Sequence, residues 1–311
     1  IGVGIVLTML VSRNLTMPLK EIIQTLSGVK KGRFDKKVQV TSNDEIGYTG
    51  DVINEMTAGL QERDRIRQSL GIAKEVQQHL LPTAAPEIQG LDIAGKSIYC
   101  EETGGDYFDY LPVDKNEPGK IKIVVGDVSD HGIASALLMT SARAFLRQRA
   151  SKTGYLNQIL ADVNRELARD VEDSGRFMTL FICEIDRPNN IIRWVNAGHD
   201  PAFTFDPDAG AFEELAGHSL PLGVSEKAAY QEFQRKIAPG QILLIGTDGI
   251  WESQNSEGQM FGKERLRNII SVHARDTAME ILQAVIDELN RFSRPLGNKD
   301  DVTLVVVKVN S

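Results

Sequence analysis

The chain has 311 residues, 41% of them hydrophobic and 25% charged, and a net charge of −8. That length and balance suit one large folded domain with a smaller one and exclude disordered, collagenous and low-complexity classes. Two cysteines, Cys100 and Cys183, stand in no spaced pattern, which excludes a disulfide framework or a zinc site and fits a reducing compartment. The charge is uneven. Residues 1–70 carry ten Lys+Arg against eight Asp+Glu, and the remainder 25 against 35. An acidic larger part argues against nucleic acid as partner, because phosphates demand a basic face.

The first element is the apolar run Ile1–Val11, interrupted only by Gly2, Gly4 and Thr8. It is shorter than the ~20 residues that cross a bilayer, and no basic residues precede it as they would in a signal peptide. Arg13, Lys20, Lys30, Lys31, Arg33, Lys36 and Lys37 follow it, a bias that places the following chain in the cytoplasm. The expectation is that 1–12 is the inner end of a truncated transmembrane helix at the cytoplasmic membrane. A buried N-terminal helix is the alternative.

Leu15, Leu19, Ile22, Leu26 and Val29 then recur at steps of four and three, the seam of a helix that packs as coiled coils do. Pro18 suits the first turns, and Gly28 and Gly32 end the helix. A connector covers 30–47, with Val38 and Val40 alternating. A second helix is expected from Asp44-Glu45, with a seam of Ile46, Thr49, Ile53, Met56 and Leu60. Two short striped helices bury their stripes only as a parallel dimer, a four-helix bundle. Pro18-Leu19, Gly32-Arg33-Phe34 and Asp44-Glu45-Ile46-Gly47 resemble a HAMP domain over 13–66, which implies relay of a signal from a membrane or extracellular sensor to an output domain. Beyond Leu60 comes the polar stretch Gln61–Arg65, and apolar positions resume at Ile66, Leu70, Ala73, Val76 and Leu80. That slip is one residue short of a heptad and changes local supercoil winding. Residues 67–86 are thus expected to be a coiled-coil linker or switch helix, ended by Leu81-Pro82.

From 87 onward, four places set aspartate against an apolar strand-like run: Asp106 in ETGGDYFDY, Asp127 in IKIVVGDVSDHG, Asp248 in QILLIGTDGI, and Asp300-Asp301 before VTLVVVKV. A carboxylate at the end of an apolar strand is costly unless it is paired or bound to a cation, and His131 and Lys299 are the only obvious bases nearby. Four strand ends can gather these acids at one edge. An all-oxygen cluster of that kind suits Mg²⁺ or Mn²⁺, and two such ions can clamp a phosphate for in-line attack. One such motif is usually only a turn; the ordered set carries the signal.

That set, together with KEVQQHLLP at 74–82, NAGHDPAF at 196–203 and FGKERL at 261–266, resembles the PPM-type (type 2C) metal-dependent protein phosphatases of the bacterial SpoIIE-type branch, over about 71–311. The resemblance implies an α+β fold, an α/β/β/α sandwich over 87–311, and two Mn²⁺ or Mg²⁺ ions. It implies that Asp127 bridges the ions, that the Val128 carbonyl helps hold one, that Asp248 and Asp300 complete the shell of the other, and that Asp106 supports the second. It implies a metal-activated water as nucleophile, with no phosphoenzyme. The usual substrate in this branch is a phosphorylated STAS-domain antagonist of an anti-sigma factor. Asp130 replaces a common glycine and is expected to shape its loop. His131 is a candidate proton donor to the leaving serine oxygen, with a structural role as the alternative. Asn196 and His199 are expected to be turn formers.

Helices are expected at Ile133–Arg149, Tyr155–Asp170, Lys263–His273 and Thr277–Arg291, one pair on each sheet, with a hairpin of Phe177–Asp186 and Ile191–Ala197. Two rivals remain. GGDYF at 104–108 is close to the GGDEF signature of diguanylate cyclases, although Tyr107 replaces its glutamate and the later motifs would have no role. A catalytically inactive, phosphatase-like binding module is the other.

Overall fold

The computed structural model describes residues 2–40, 43–111, 118–152 and 154–310. Ile1, of the apolar run, and residues 41–42, of the connector, lie outside them. The chain divides into two compact units, 1–72 and 73–311.

The first unit opens with α1 (Gly2–Val11), a π-helical turn at Ser12–Thr16 and α2 (Met17–Val29), which has Pro18 in its first turn. No helix among the described residues is long and apolar enough to cross a membrane. Gly32, at φ +73°, takes the left-handed conformation that stops α2. Helix α3 (Glu45–Leu80) follows, and Asp44 caps it by accepting from the Ile46 and Gly47 N–H groups at 3.1 Å. The connector lies on α3 through Asn54, which accepts from the Val38 N–H at 2.8 Å and donates to the Val38 carbonyl at 2.9 Å. Ile22, Val38 and Ile53 close a small core, with Ile46 packed against it.

The expected seams are only partly covered in one chain. Ile22 and Ile53 are buried, while Leu15, Leu19, Leu26 and Met56 are exposed. The covered face of α3 runs instead through Gly47, Gly50, Ile53 and Thr57, because the connector's Val38 packs there. No break in α3 accompanies the phase slip at 61–65.

The second unit carries two five-stranded antiparallel sheets. Its strands are β1 (Leu91–Ile98), β2 (Tyr107–Leu111), β3 (Lys120–Val128), β4 (Met178–Asp186), β5 (Ile191–Ala197), β6 (Ala202–Asp206), β7 (Ala211–Leu215), β8 (Phe233–Lys236), β9 (Ile242–Gly246) and β10 (Val302–Val309). One sheet has the order β1-β10-β9-β6-β7 and the other β2-β3-β4-β5-β8. Each inner strand is apolar on both faces because both faces are covered. Ile123, Val125, Phe181 and Cys183 meet Leu243, Ile245, Val305 and Val307 between the sheets. The opposite faces, at Val124, Leu180 and Ile182, pack on α4 (Ile133–Ala150) and α5 (Leu156–Val171). Those at Leu244, Leu304 and Val306 pack on α6 (Lys263–Val272) and α7 (Ala278–Phe292).

The expected helices and the β4–β5 hairpin thus stand within a residue or so of the sequence boundaries, in the expected α/β/β/α layers. Thr277 starts α7 with a capping box to Glu280. Both cysteines are free. The buried Asp109 has its own structural partners: it accepts from the Tyr107 hydroxyl at 2.9 Å and from Arg147 at 2.7 and 2.8 Å.

Candidate metal centre

Antiparallel pairing explains why the acids meet. Tyr107 of β2 lies opposite Gly126 of β3, so Asp106, just ahead of β2, comes beside Asp127. Gly246 of β9 lies opposite Leu304 of β10, so Asp248, just past β9, comes beside Asp300 and Asp301, just ahead of β10. Each sheet therefore delivers its acids where one strand ends and its neighbour begins.

These acids act on one another electrostatically. Burial, and then the charges of Asp248, Asp300 and Asp301, push the Asp127 carboxyl up to about 8, against a partial offset from a hydrogen bond with Asp106. Asp106 is also pushed up, first by burial and then by Asp127. Asp248 rises through burial and then through the charges of Asp300, Glu252 and Asp200. No basic side chain stands among the main influences on these three acids. Among the described residues, no three metal-binding side chains are drawn together closely enough to hold an ion in the chain alone. Uncompensated like charges repel, which opposes such closure until a cation joins them. An oxygen-only set of acids, with Asp106 buried, Asp127 and Asp248 half-buried and Asp300 exposed, fits a hard divalent ion.

Two glycines make the approach of the segments possible. A Cβ on Gly105 would stand 3.0 Å from the Val128 carbonyl oxygen, which places that carbonyl beside the Asp106 loop. A Cβ on Gly249 would collide with the Asp301 backbone carbonyl.

The resemblance gives a ligand role to Asp300 and none to Asp301, and in the structure the two acids differ in burial and partners. Asp300 is exposed, whereas Asp301 is buried and engaged, with Oδ1 accepting from the Cys100 N–H and Oδ2 from the Gly105 N–H, both at 2.8 Å. Asp301 therefore ties the β10 entrance to the Asp106 loop. Thr247 was also missed. Its hydroxyl donates to Asp106 Oδ2 at 2.8 Å and accepts from the Thr303 N–H at 3.0 Å, linking the two sheets behind the acids. The nearest sequence signal was its place beside Asp248.

His131 is not part of the cluster. Its side chain is exposed, lies 3.5 Å from Glu101, and makes no hydrogen bond or ion pair with the four candidate aspartates. Lys299 donates instead to Gln254 at 2.8 Å. Asp130 takes φ +65° and stands 3.7 Å from Arg176, a loop-shaping arrangement. Asn196 bridges its turn as expected, exchanging two 2.8 Å hydrogen bonds with the His199 backbone. His199 does more than turn the chain, because its ring is buried and bonded to both sheets.

Residues 117–310 match the family described as Stage II sporulation protein E (SpoIIE). The match includes Asp127, Asp248 and Asp300; Asp106 lies ahead of it. The chain is 28% identical over 251 residues to Phosphoserine phosphatase RsbU of Bacillus subtilis, covering 80% of this chain and 72% of that protein. It is 25% identical over 337 aligned residues to Protein IcfG of Synechocystis sp., covering 97% of this chain but only 52% of that protein. The SiaA-PP2C domain of Pseudomonas aeruginosa shares the fold, with a TM-score of 0.67 at 22% identity, covering 79% of this chain and 98% of that one. The two-sheet fold and these matches leave the cyclase reading of GGDYF without support.

Proposed function

The chain belongs to the SpoIIE family of metal-dependent serine/threonine protein phosphatases, and on that premise we propose that it dephosphorylates phosphoserine or phosphothreonine on a regulatory protein. The observation that carries this reading is that strand register brings the segments of Asp106 and Asp127, and of Asp248 and Asp300, side by side, with Asp127 under the electrostatic influence of acids from both sheets. Asp127 faces the acids of both sheets, which suits it to bridge two ions. The Val128 carbonyl and Asp106 would hold one ion, and Asp248 and Asp300 the other. Two Mn²⁺ or Mg²⁺ ions there supply the Lewis acidity that activates water and neutralises phosphoryl oxygens. The protein's own part is to hold the four carboxylates near one another with Thr247, Asp301 and the two close-approach glycines. The likeness to a protein named phosphoserine phosphatase favours a phosphorylated protein substrate, and a STAS-domain regulator is the substrate we assign.

Residues 13–66 form a HAMP-type relay in this reading, and a parallel homodimer covers what one chain leaves open. Leu15 in the π-helical turn, Leu19 and Leu26 on α2, and Ile66, Ile72 and Val76 on α3 are apolar and exposed. Val3, Ile5 and Met9 on α1 are exposed as well, and with the basic residues after them they favour attachment at the cytoplasmic face of a membrane. Ala73 and Val76, the stripe residues on the part of α3 inside the catalytic unit's own span, are exposed there. Polar contacts from the end of α3 join it to the rest of that unit. The buried Gln77 donates to the Gly104 carbonyl at 2.6 Å and accepts from its N–H at 3.2 Å. Lys74 donates to the Glu101 carbonyl at 3.0 Å, and Arg143 to the Leu80 carbonyl at 2.8 Å. A shift of α3 would thus pull on the loop that carries Asp106.

Hydrolysis of para-nitrophenyl phosphate and of a phosphoserine peptide, with and without Mn²⁺, tests the proposal on the intact chain and on Asp127→Asn. Manganese-dependent turnover lost in the variant is expected. Metal-independent turnover, or turnover that survives the substitution, would refute it. Folded protein that binds no metal would return the binding-module reading.

A further inference from the structure

We propose that His199 is a positioning residue that sets the spacing between the acids of the two sheets, and through it the affinity of the site for its ions. The inference rests on the metal-site reading above.

The ring of His199 lies between the sheets, with Nε2 3.2 Å from the Gly246 carbonyl oxygen and Nδ1 2.9 Å from the Thr179 hydroxyl. A carbonyl only accepts, so Nε2 carries the proton and donates. In the neutral ring, which burial favours, Nδ1 is then the bare nitrogen and accepts from the Thr179 hydroxyl, which also lies 3.4 Å from the Asp127 carbonyl oxygen. Both ring nitrogens are used.

The two partners occupy telling positions. Thr179 of β4 lies directly opposite Asp127 of β3 in the antiparallel register. Gly246 is the last residue of β9 and stands two residues before Asp248. One side chain therefore spans the neighbour of the acid on one sheet and the strand that leads to the acid on the other. A second link across the sheets, from Thr247 to Asp106, joins a different pair of segments, so neither link replaces the other.

The ring has little freedom to relax. His199 is buried, and its backbone is clamped from both directions by the Asn196 side chain. A turn former would need only that backbone clamp. A ring bonded to both sheets next to their acid-bearing ends restrains a distance. Four mutually repelling carboxylates would otherwise drift apart, since no basic side chain is among the main influences on Asp106, Asp127 or Asp248.

The test measures Mn²⁺ binding by calorimetry, and Mn–Mn dipolar coupling by electron paramagnetic resonance, on the full chain well below its unfolding temperature. His199→Phe keeps an aromatic ring and removes both hydrogen bonds. His199→Gln keeps an amide that donates to Gly246. The phenylalanine variant should stay folded, bind Mn²⁺ about tenfold or more weakly, and lose the dipolar coupling, as outer-shell losses at metal sites commonly do. The glutamine variant should recover most of the affinity. A residue that only turned the chain would lower the unfolding temperature and leave the affinity of the folded protein unchanged, and that result would overturn the proposal. Should the phenylalanine variant fail to fold, Thr179→Val decides in its place, with a weaker loss expected and unchanged affinity overturning the idea. Wild-type protein that binds no Mn²⁺ would overturn the metal-site reading, and this inference with it. Wild-type protein that binds, with His199→Phe binding equally, would overturn this inference alone.

Discussion

Asp127→Asn should make the metal-free protein more stable while removing its response to Mn²⁺. Asp127 is pushed from an ordinary 3.8 to about 8, by burial first and then by Asp248, Asp300 and Asp301. The folded state thus holds this proton more tightly than the unfolded state. The stability tied to it is complete below pH ~4 and is lost as pH rises through about 8. Each unit is worth about 1.4 kcal/mol. Relative to acid, release of this proton by the unfolded chain therefore lowers the stability of the metal-free fold by up to about 5 kcal/mol at pH 7.5, and by about half of that at pH 5.5. Asparagine carries no charge, but its amide must still be buried. A net gain of roughly 2–4 kcal/mol at pH 7.5 is expected, which raises the unfolding temperature by roughly 5–10 °C in a domain of this size.

The assay is calorimetric unfolding in EDTA at pH 5.5 and 7.5, repeated with Mn²⁺. The variant should unfold above wild type at pH 7.5, by a smaller margin at pH 5.5, and Mn²⁺ should raise wild type alone. An asparagine variant less stable than wild type in EDTA at pH 7.5, or a margin indifferent to pH, would refute the electrostatic account of the site.

Burial lowers His199 from 6.5 to about 4, so the unfolded state binds this proton first and stability falls as pH drops from about 6.5 to 4. The loss should reach about 3 kcal/mol, and urea unfolding of His199→Gln in EDTA should show a correspondingly flatter acid limb than wild type. Gln77→Leu keeps helix propensity but removes both hydrogen bonds to Gly104, at about 1–3 kcal/mol for each backbone group left unpaired. Phosphatase activity at limiting Mn²⁺ should fall several-fold and recover with excess Mn²⁺; equal loss at all Mn²⁺ concentrations would separate Gln77 from the Asp106 loop.

Much of the catalytic unit was legible because its signals are local. Asp127 and Asp248 follow apolar runs that can only be covered strands, and Asp300 precedes one. The spans of α4, α5, α6 and α7 were legible to within a residue or so. The groups that hold the acids in place were not legible, because their bonds join distant parts of the chain. Asp301 meets Gly105 across 196 positions, Thr247 meets Asp106 across 141, His199 meets Gly246 across 47, and Gln77 meets Gly104 across 27. In sequence each looks like an ordinary turn, cap or helix residue. The stripes of α2 and α3 were less informative for a related reason, since a periodic pattern says that a face will be covered but not by what. Here the connector's Val38 took part of that face. Sequence alone determined which acids exist and which strands carry them, because strand and helix periodicity are properties of neighbouring residues. Only the tertiary structure decided which acid is buried as a tie and which is free to bind, because burial and hydrogen-bond partners arise when two sheets close on each other.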